Sequence, residues 1–159
     1  MSEEITFRIA PAIAAIKARI EGHTWFEDIT VITEDKGNIN NDIEVALGTI
    51  TEKHSKIGAC IVLLAPIAKC EHPGAPGPCI EPIIVISVVE DVAINQGATG
   101  TGKSALQIVE MLMRRIHRFS TTDTNAAFVC DDTPYKITNS DPLTYNVFFK
   151  TKLALQPEP

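Results

Sequence analysis

The chain has 159 residues, 45% of them hydrophobic and 21% charged, with a formal net charge of −6. That length suits a single domain with a real core, since a chain near this size buries roughly 70% of its unfolded surface. The acidic balance argues against a sequence-independent nucleic-acid binder, which needs basic surface to release counterions. No apolar run approaches the roughly 20 residues needed to cross a bilayer, so no membrane contact is expected. Met1-Ser2-Glu3-Glu4 is acidic where a secretory signal is basic. The expectation is a protein made and kept, or assembled, in the cytoplasm.

In chain order, Ile5 to Ile20 reads as a helix with an apolar stripe of Ile9, Ile13, Ile16 and Ile20. Pro11 marks its first turn and Gly22 its end. Trp25 and Phe26 lead into a short β-branched strand, Ile29 to Thr33, with Trp25 expected as a core or interface anchor. A second helix is expected from Asn41 or Asp42 to about Lys53, with His54 just past it. Ala59 to Ala65 is an unbroken apolar strand, expected to be covered on both faces and to stop at Pro66.

Lys69 to Pro82 is expected to be a projecting hairpin loop, because Pro73, Gly74, Pro76, Gly77, Pro78 and Pro82 oppose helix and ladder alike. Cys70, His72 and Cys79 fall in it. Three candidate ligands without a C-x-x-C pair make a poor zinc site, and a reducing compartment disfavours a Cys70–Cys79 disulfide. Cys60 and Cys130 read as small core residues. No metal, no cofactor and no catalytic residue is assigned.

Ile83 to Ile94 reads as a long strand bent near Glu90-Asp91. Those adjacent carboxylates point to opposite faces of a strand and so do not form a catalytic pair. A helix follows with Ala105, Ile108, Val109, Leu112, Ile116 and Phe119 as its stripe. Arg114, Arg115, His117 and Arg118 crowd its last turn, where cations suit the helix dipole. A short strand at Ala127 to Cys130, a turn at Asp131 to Pro134 and an extended piece at Tyr135 to Thr138 come next. Leu143, Tyr145, Val147, Phe149, Thr151 and Leu153 then alternate with polar or exposed positions, the mark of an antiparallel or edge strand. Gln156 to Pro159 is a tail. The order predicts one α+β domain over 1–159, a mainly antiparallel or mixed β-sheet flanked by about three α-helices.

Between the long strand and the long helix lies Gly97-Ala98-Thr99-Gly100-Thr101-Gly102-Lys103-Ser104. It matches the G-x-x-x-x-G-K-[ST] phosphate-binding pattern. In a nucleotide site, backbone N–H groups would curl round phosphate, Lys103 would reach the outer phosphates and Ser104 would hold magnesium. The surroundings disagree with that chemistry. A P-loop domain is a parallel sheet of βαβ units, whereas the C-terminal half here reads as antiparallel, and Asp131 follows too soon to end a later parallel strand. The turn is therefore expected to be a strand-to-helix connection with threonine caps, and Lys103→Ala to be near neutral. The alternative is a small nucleotide-binding protein using Gly97 to Ser104.

Several landmarks resemble the tail-terminator (tail-completion) proteins of tailed bacteriophages. They are the strand ending Val88-Val89-Glu90-Asp91-Val92-Ala93-Ile94-Asn95, the turn Gly97 to Lys103, the helix to Phe119, and the closing strand after Asp141-Pro142-Leu143-Thr144-Tyr145. The resemblance implies a structural, non-enzymatic virion protein of the tail or neck, assembled in the host cytoplasm. It implies a homo-oligomeric ring, usually a hexamer, on the head-proximal end of the tail tube. Its partners would be the tail tube protein and a head–tail connector or neck protein. Genome DNA would pass the lumen without specific binding, which the acidic charge suits. The 69–82 loop is the expected subunit or tube contact. Another neck or tail-tube component of the same particle is the second alternative.

Overall fold

The computed structural model describes residues 7–33, 43, 58–70, 74, 77–97 and 100–155. Its strands are β1 (Thr30–Thr33), β2 (Ala59–Cys70), β3 (Cys79–Glu90), β4 (Val129–Ser140), β5 (Leu143–Lys150) and β6 (Leu153–Ala154). Its helices are α1 (Ile9–Glu21), α2 (Val92–Asn95) and α3 (Ala105–Ile116), with a 3-10 turn at Thr24–Phe26. The strands form one six-stranded sheet in the order β1-β2-β3-β5-β4, with β6 beside β3. Among the described residues only β1 and β2 run parallel; the other pairings are antiparallel. The expected α+β class holds. The helix expected near Asn41 to Lys53 and His54 lie outside the described residues, except for Ile43, which is helical.

The unbroken run in β2 is buried on both faces, as its lack of alternation predicts. Ala59, Ile61 and Leu63 join the main core under α1 and α3, with Ile84, Ile86, Val147 and Phe149 from the neighbouring strands. Cys60 and Val62 face the other way, into a smaller cluster with Ile32 and Val89. The helices contribute Ile13, Ile16 and Ile20 from α1 and Ile108, Leu112 and Ile116 from α3. Ile9, expected on the α1 stripe, is exposed at the helix start. The core begins at Ala12, one turn later.

Cys60 is enclosed in that smaller cluster, and burial pushes its thiol up to about 12 from an ordinary 9.0. The unfolded chain releases the proton first, so the folded state holds the extra proton between those two values. Stability contributed by Cys60 is therefore complete below about pH 9 and declines as pH rises toward about 12. Cys60→Ser, whose hydroxyl does not ionise there, is expected to flatten that alkaline decline in urea unfolding. In timed alkylation, exposed Cys70 is expected to react first and buried Cys60 last.

Prolines did not end the strands where expected. β2 continues past Pro66 through a bulge between Leu64 and Ile67. The β1 ladder stops at Leu63, and Pro66 falls in the bulge, outside the β2–β3 register. A missing N–H is tolerated at such a position. Pro82 sits opposite Ala68 inside the β2–β3 ladder. It falls where β3 changes partner from β6 to β5, so no ladder partner is required on that side. Lys69–Cys70 and Cys79–Pro82, expected within the loop, are thus strand, and residues 71–73 and 75–76 lie outside the described residues. Asp131 to Pro134, expected as a turn, is a bulge within one long β4. The strand expected to reach Ile94 ends at Glu90, because Asp91 accepts a bond from the Ile94 N–H at 3.2 Å and caps α2.

The last turns of α1 and α3 cross, and each supplies the other's cap. Arg115 Nε donates to the Arg19 carbonyl at 2.8 Å, and Arg19 Nε donates to the Arg115 carbonyl at 3.3 Å. Both carbonyls belong to helix ends that have no partner of their own. Desolvation and the adjacent Arg19 charge pull the Arg115 guanidinium below its ordinary range.

Candidate functional site

The phosphate-loop pattern is the one motif in the chain with a catalytic precedent, so its geometry decides what the site can do. The turn wraps around a side chain of its own protein, Asn95, which is fully buried at the end of α2. The Asn95 amide donates to the Glu90 carboxylate and to the Lys103 carbonyl, the latter at 2.7 Å. Its oxygen accepts from the Thr101 N–H at 3.2 Å and from the Thr101 hydroxyl. The Asn95 carbonyl accepts from the Gly102 N–H, and the Thr101 hydroxyl from the Lys103 N–H at 3.0 Å. The Gly100 N–H donates to the Gly97 carbonyl. Every described N–H from Gly100 to Lys103 thus bonds inward, where an anion site would leave several aimed at the ligand.

The glycines serve the same packing. A Cβ on Gly100 would overlap the Asn95 carbonyl, and one on Gly58 would overlap the Asn95 nitrogen. The backbone of Asn95 is therefore held between the start of β2 and the turn. Gly102 has a left-handed φ of 70° and open space around its α-carbon.

Lys103 and Ser104 also point elsewhere. The Lys103 ammonium donates to the Trp25 carbonyl, lies 4.8 Å from the Trp25 ring centroid and stands 3.8 Å from Asp28. It ties the 3-10 turn to the start of α3. Lys103→Ala is expected to lower the unfolding free energy by about 1–2 kcal/mol, from a charged hydrogen bond and a cation–π contact. Urea unfolding checks it, and the near-neutral expectation for this substitution is revised accordingly. Ser104 caps α3, accepting from the Gln107 N–H at 3.2 Å, while Gln107 Oε1 accepts from the Ser104 N–H at 2.9 Å. This capping box was readable as Ser-x-x-Gln; the expectation of threonine caps missed it. Glu90, half of the rejected carboxylate pair, is 2% exposed and is bonded by Asn95 and by Gln96 Nε2 at 3.3 Å.

The remaining candidates disperse. Cys70 lies opposite Ile80 in the ladder, so Cys70 and Cys79 project to opposite faces and do not face each other as a pair. His72 lies outside the described residues. Among the described residues no three His, Cys, Asp or Glu side chains gather as metal ligands. The basic cluster resolves into local contacts. Arg114 meets Glu110 at 3.6 Å, Arg115 caps α1, and His117 Nδ1 accepts from the Cys130 N–H at 3.1 Å.

What the surface does offer is apolar. A shallow groove of about 370 Å³ runs between α3 and β4, lined by Leu106, Val109, Met113 and Tyr135 with Glu110 on its rim. Ile137 on β4 and Ile67 on β2 are exposed as well. No protein-family profile matches the chain, and no curated protein sequence matches it.

Proposed function

We propose that this protein is a phage tail terminator, a structural ring that ends tail-tube growth and presents the surface for head joining. The observation that carries this reading over the nucleotide-binding one is the inward bonding of the glycine turn around Asn95. It occupies the described N–H donors from Gly100 to Lys103 and directs the Lys103 ammonium to Trp25. Among the described residues, the surface carries exposed apolar side chains, Ile67 on β2, Leu106 on α3 and Tyr135 and Ile137 on β4. These suit association between copies better than they suit chemistry. The resemblance in the Val88–Asn95 strand, the glycine turn, α3 and the closing strand supplies the specific assignment. Under it, tube protein meets one face of the ring, a connector meets the other, and DNA passes a lumen that does not hold it.

The mass of the purified protein in solution, with and without Mg-ATP, tests this. A ring of several subunits that ignores nucleotide is expected. A monomer that binds Mg-ATP and loses it on Lys103→Ala would return the turn to phosphate chemistry. Open-ended tubes in place of rings would move the protein to the tube itself.

A further inference from the structure

The crossed caps of α1 and α3 use only part of each arginine. Arg115 Nε and Arg19 Nε go to the opposite helix's carbonyl, at 2.8 and 3.3 Å. Among the described residues, no carboxylate stands within ion-pair distance of either guanidinium, and no acceptor meets an Nη group of either. The one carboxylate on each helix is engaged elsewhere: Glu21 meets Lys17 at 3.9 Å, and Glu110 meets Arg114 at 3.6 Å. Both half-buried guanidinium groups are nonetheless held in place. Arg19 lies 5.1 Å from the centroid of the Phe119 ring, which stacks on Phe128. Arg115 Nη2 passes beside Gly22, 3.7 Å from the place of a Cβ there, and glycine leaves that flank uncovered. Two like charges set side by side repel, and desolvation together with the Arg19 charge already pulls Arg115 below its ordinary range. The chain has 20 acidic residues and a net charge of −6, so a counter-ion for this pair was not in short supply.

We propose that Arg19 and Arg115 together bind an oxoanion of the phosphate class at the crossed ends of α1 and α3. The site stands apart from the glycine turn, whose described N–H groups bond inward, and it does not depend on the ring reading. A guanidinium is a planar fork whose paired donors match two oxygens of a carboxylate or phosphate. One fork satisfies a carboxylate. Two forks at one place suit an anion with more than two oxygens, which phosphate supplies. The anion would replace the repulsion between the arginines with two charge-assisted contacts, made through Nη groups, and would leave the Nε caps intact. Free phosphate and the head of a phosphate monoester offer this same chemistry.

Equilibrium dialysis of the wild-type protein against radiolabelled inorganic phosphate tests this, at constant ionic strength. Saturable binding of one phosphate per chain is expected, with phenyl phosphate competing and acetate not. Arg115→Lys keeps the charge but loses the fork. It is expected to weaken binding about tenfold, with circular dichroism confirming the fold. Arginine modification by phenylglyoxal, mapped by mass spectrometry on the wild type, locates the site without any variant. Phosphate is expected to protect Arg19 and Arg115 together, while exposed Arg114, paired with Glu110, reacts at an unchanged rate. Tighter binding of phenyl phosphate would assign the site to an ester, and tighter binding of inorganic phosphate to the free ion. Absence of saturable binding to the wild type would overturn the proposal. So would protection that falls on Arg114 as much as on the pair, or an Arg115→Lys protein that holds phosphate as tightly as the wild type.

Discussion

Asn95→Ala is expected to lower the unfolding free energy by about 3–5 kcal/mol, the range for removing one partner of a buried charged contact. The substitution strips the buried Glu90 carboxylate of the Asn95 amide and leaves, among the described residues, only the Gln96 contact at 3.3 Å. It also orphans the Lys103 carbonyl and the Thr101 N–H, which have been taken out of water. The Lys103 carbonyl and the Thr101 N–H belong to the turn that starts α3, so the damage reaches the main core through Ala105 and Ile108. The check is a urea midpoint that falls while the slope stays unchanged. A loss below about 1 kcal/mol would mean that the turn holds its shape without Asn95. Asn95→Asp would be informative beside it. It keeps the shape but replaces the amide donor to Glu90 with a second carboxyl group, so it should be destabilising as well.

Gly100→Ala is the second large effect, about 3 kcal/mol or more, beyond the usual range for overpacking because the obstruction is backbone. The added methyl would overlap the Asn95 carbonyl, and no side-chain rotation can relieve that. Gly102→Ala provides the contrast. Its α-carbon faces open space, so only the left-handed φ of 70° resists, at about 1–2 kcal/mol. A phosphate site would invert this order, since a glycine lining a phosphate cradle matters for binding rather than for folding. Thermal unfolding of the two variants, with and without Mg-ATP, separates the cases. Equal losses at both positions would sink the packing account.

The α+β arrangement was readable because most of its elements carry an unambiguous period. α3 shows its stripe at Ala105, Ile108, Leu112 and Ile116, and β5 alternates through Tyr145, Val147 and Phe149. Where the sequence misled, proline was the usual cause. Pro66 and Pro82 read as stops, but a bulge and a change of ladder partner remove the demand for their N–H groups. Pro134 read as a turn for the same reason. The site was harder. Rejecting the phosphate reading rested on the antiparallel C-terminal half, which is correct. The residue that organises the turn, Asn95, went unnoticed, because it lies two residues before the motif and bonds to Thr101 and Lys103 across it. An asparagine that closes an apolar strand and precedes a glycine run was the available signal. Lys103's attachment to Trp25, 78 positions away in the chain, left no local trace.

The crossed arginine caps carry a consequence for the order of folding. Arg19 and Arg115 lie 96 positions apart in the chain, and each completes the last turn of the other's helix. A fragment holding either helix alone ends in an unsatisfied turn that frays. The last turn of each helix is expected to gain its cap only when the two helix ends, brought together over β1, β2 and β3, meet. The two caps are therefore expected to form together, and a register error in that sheet to cost both at once.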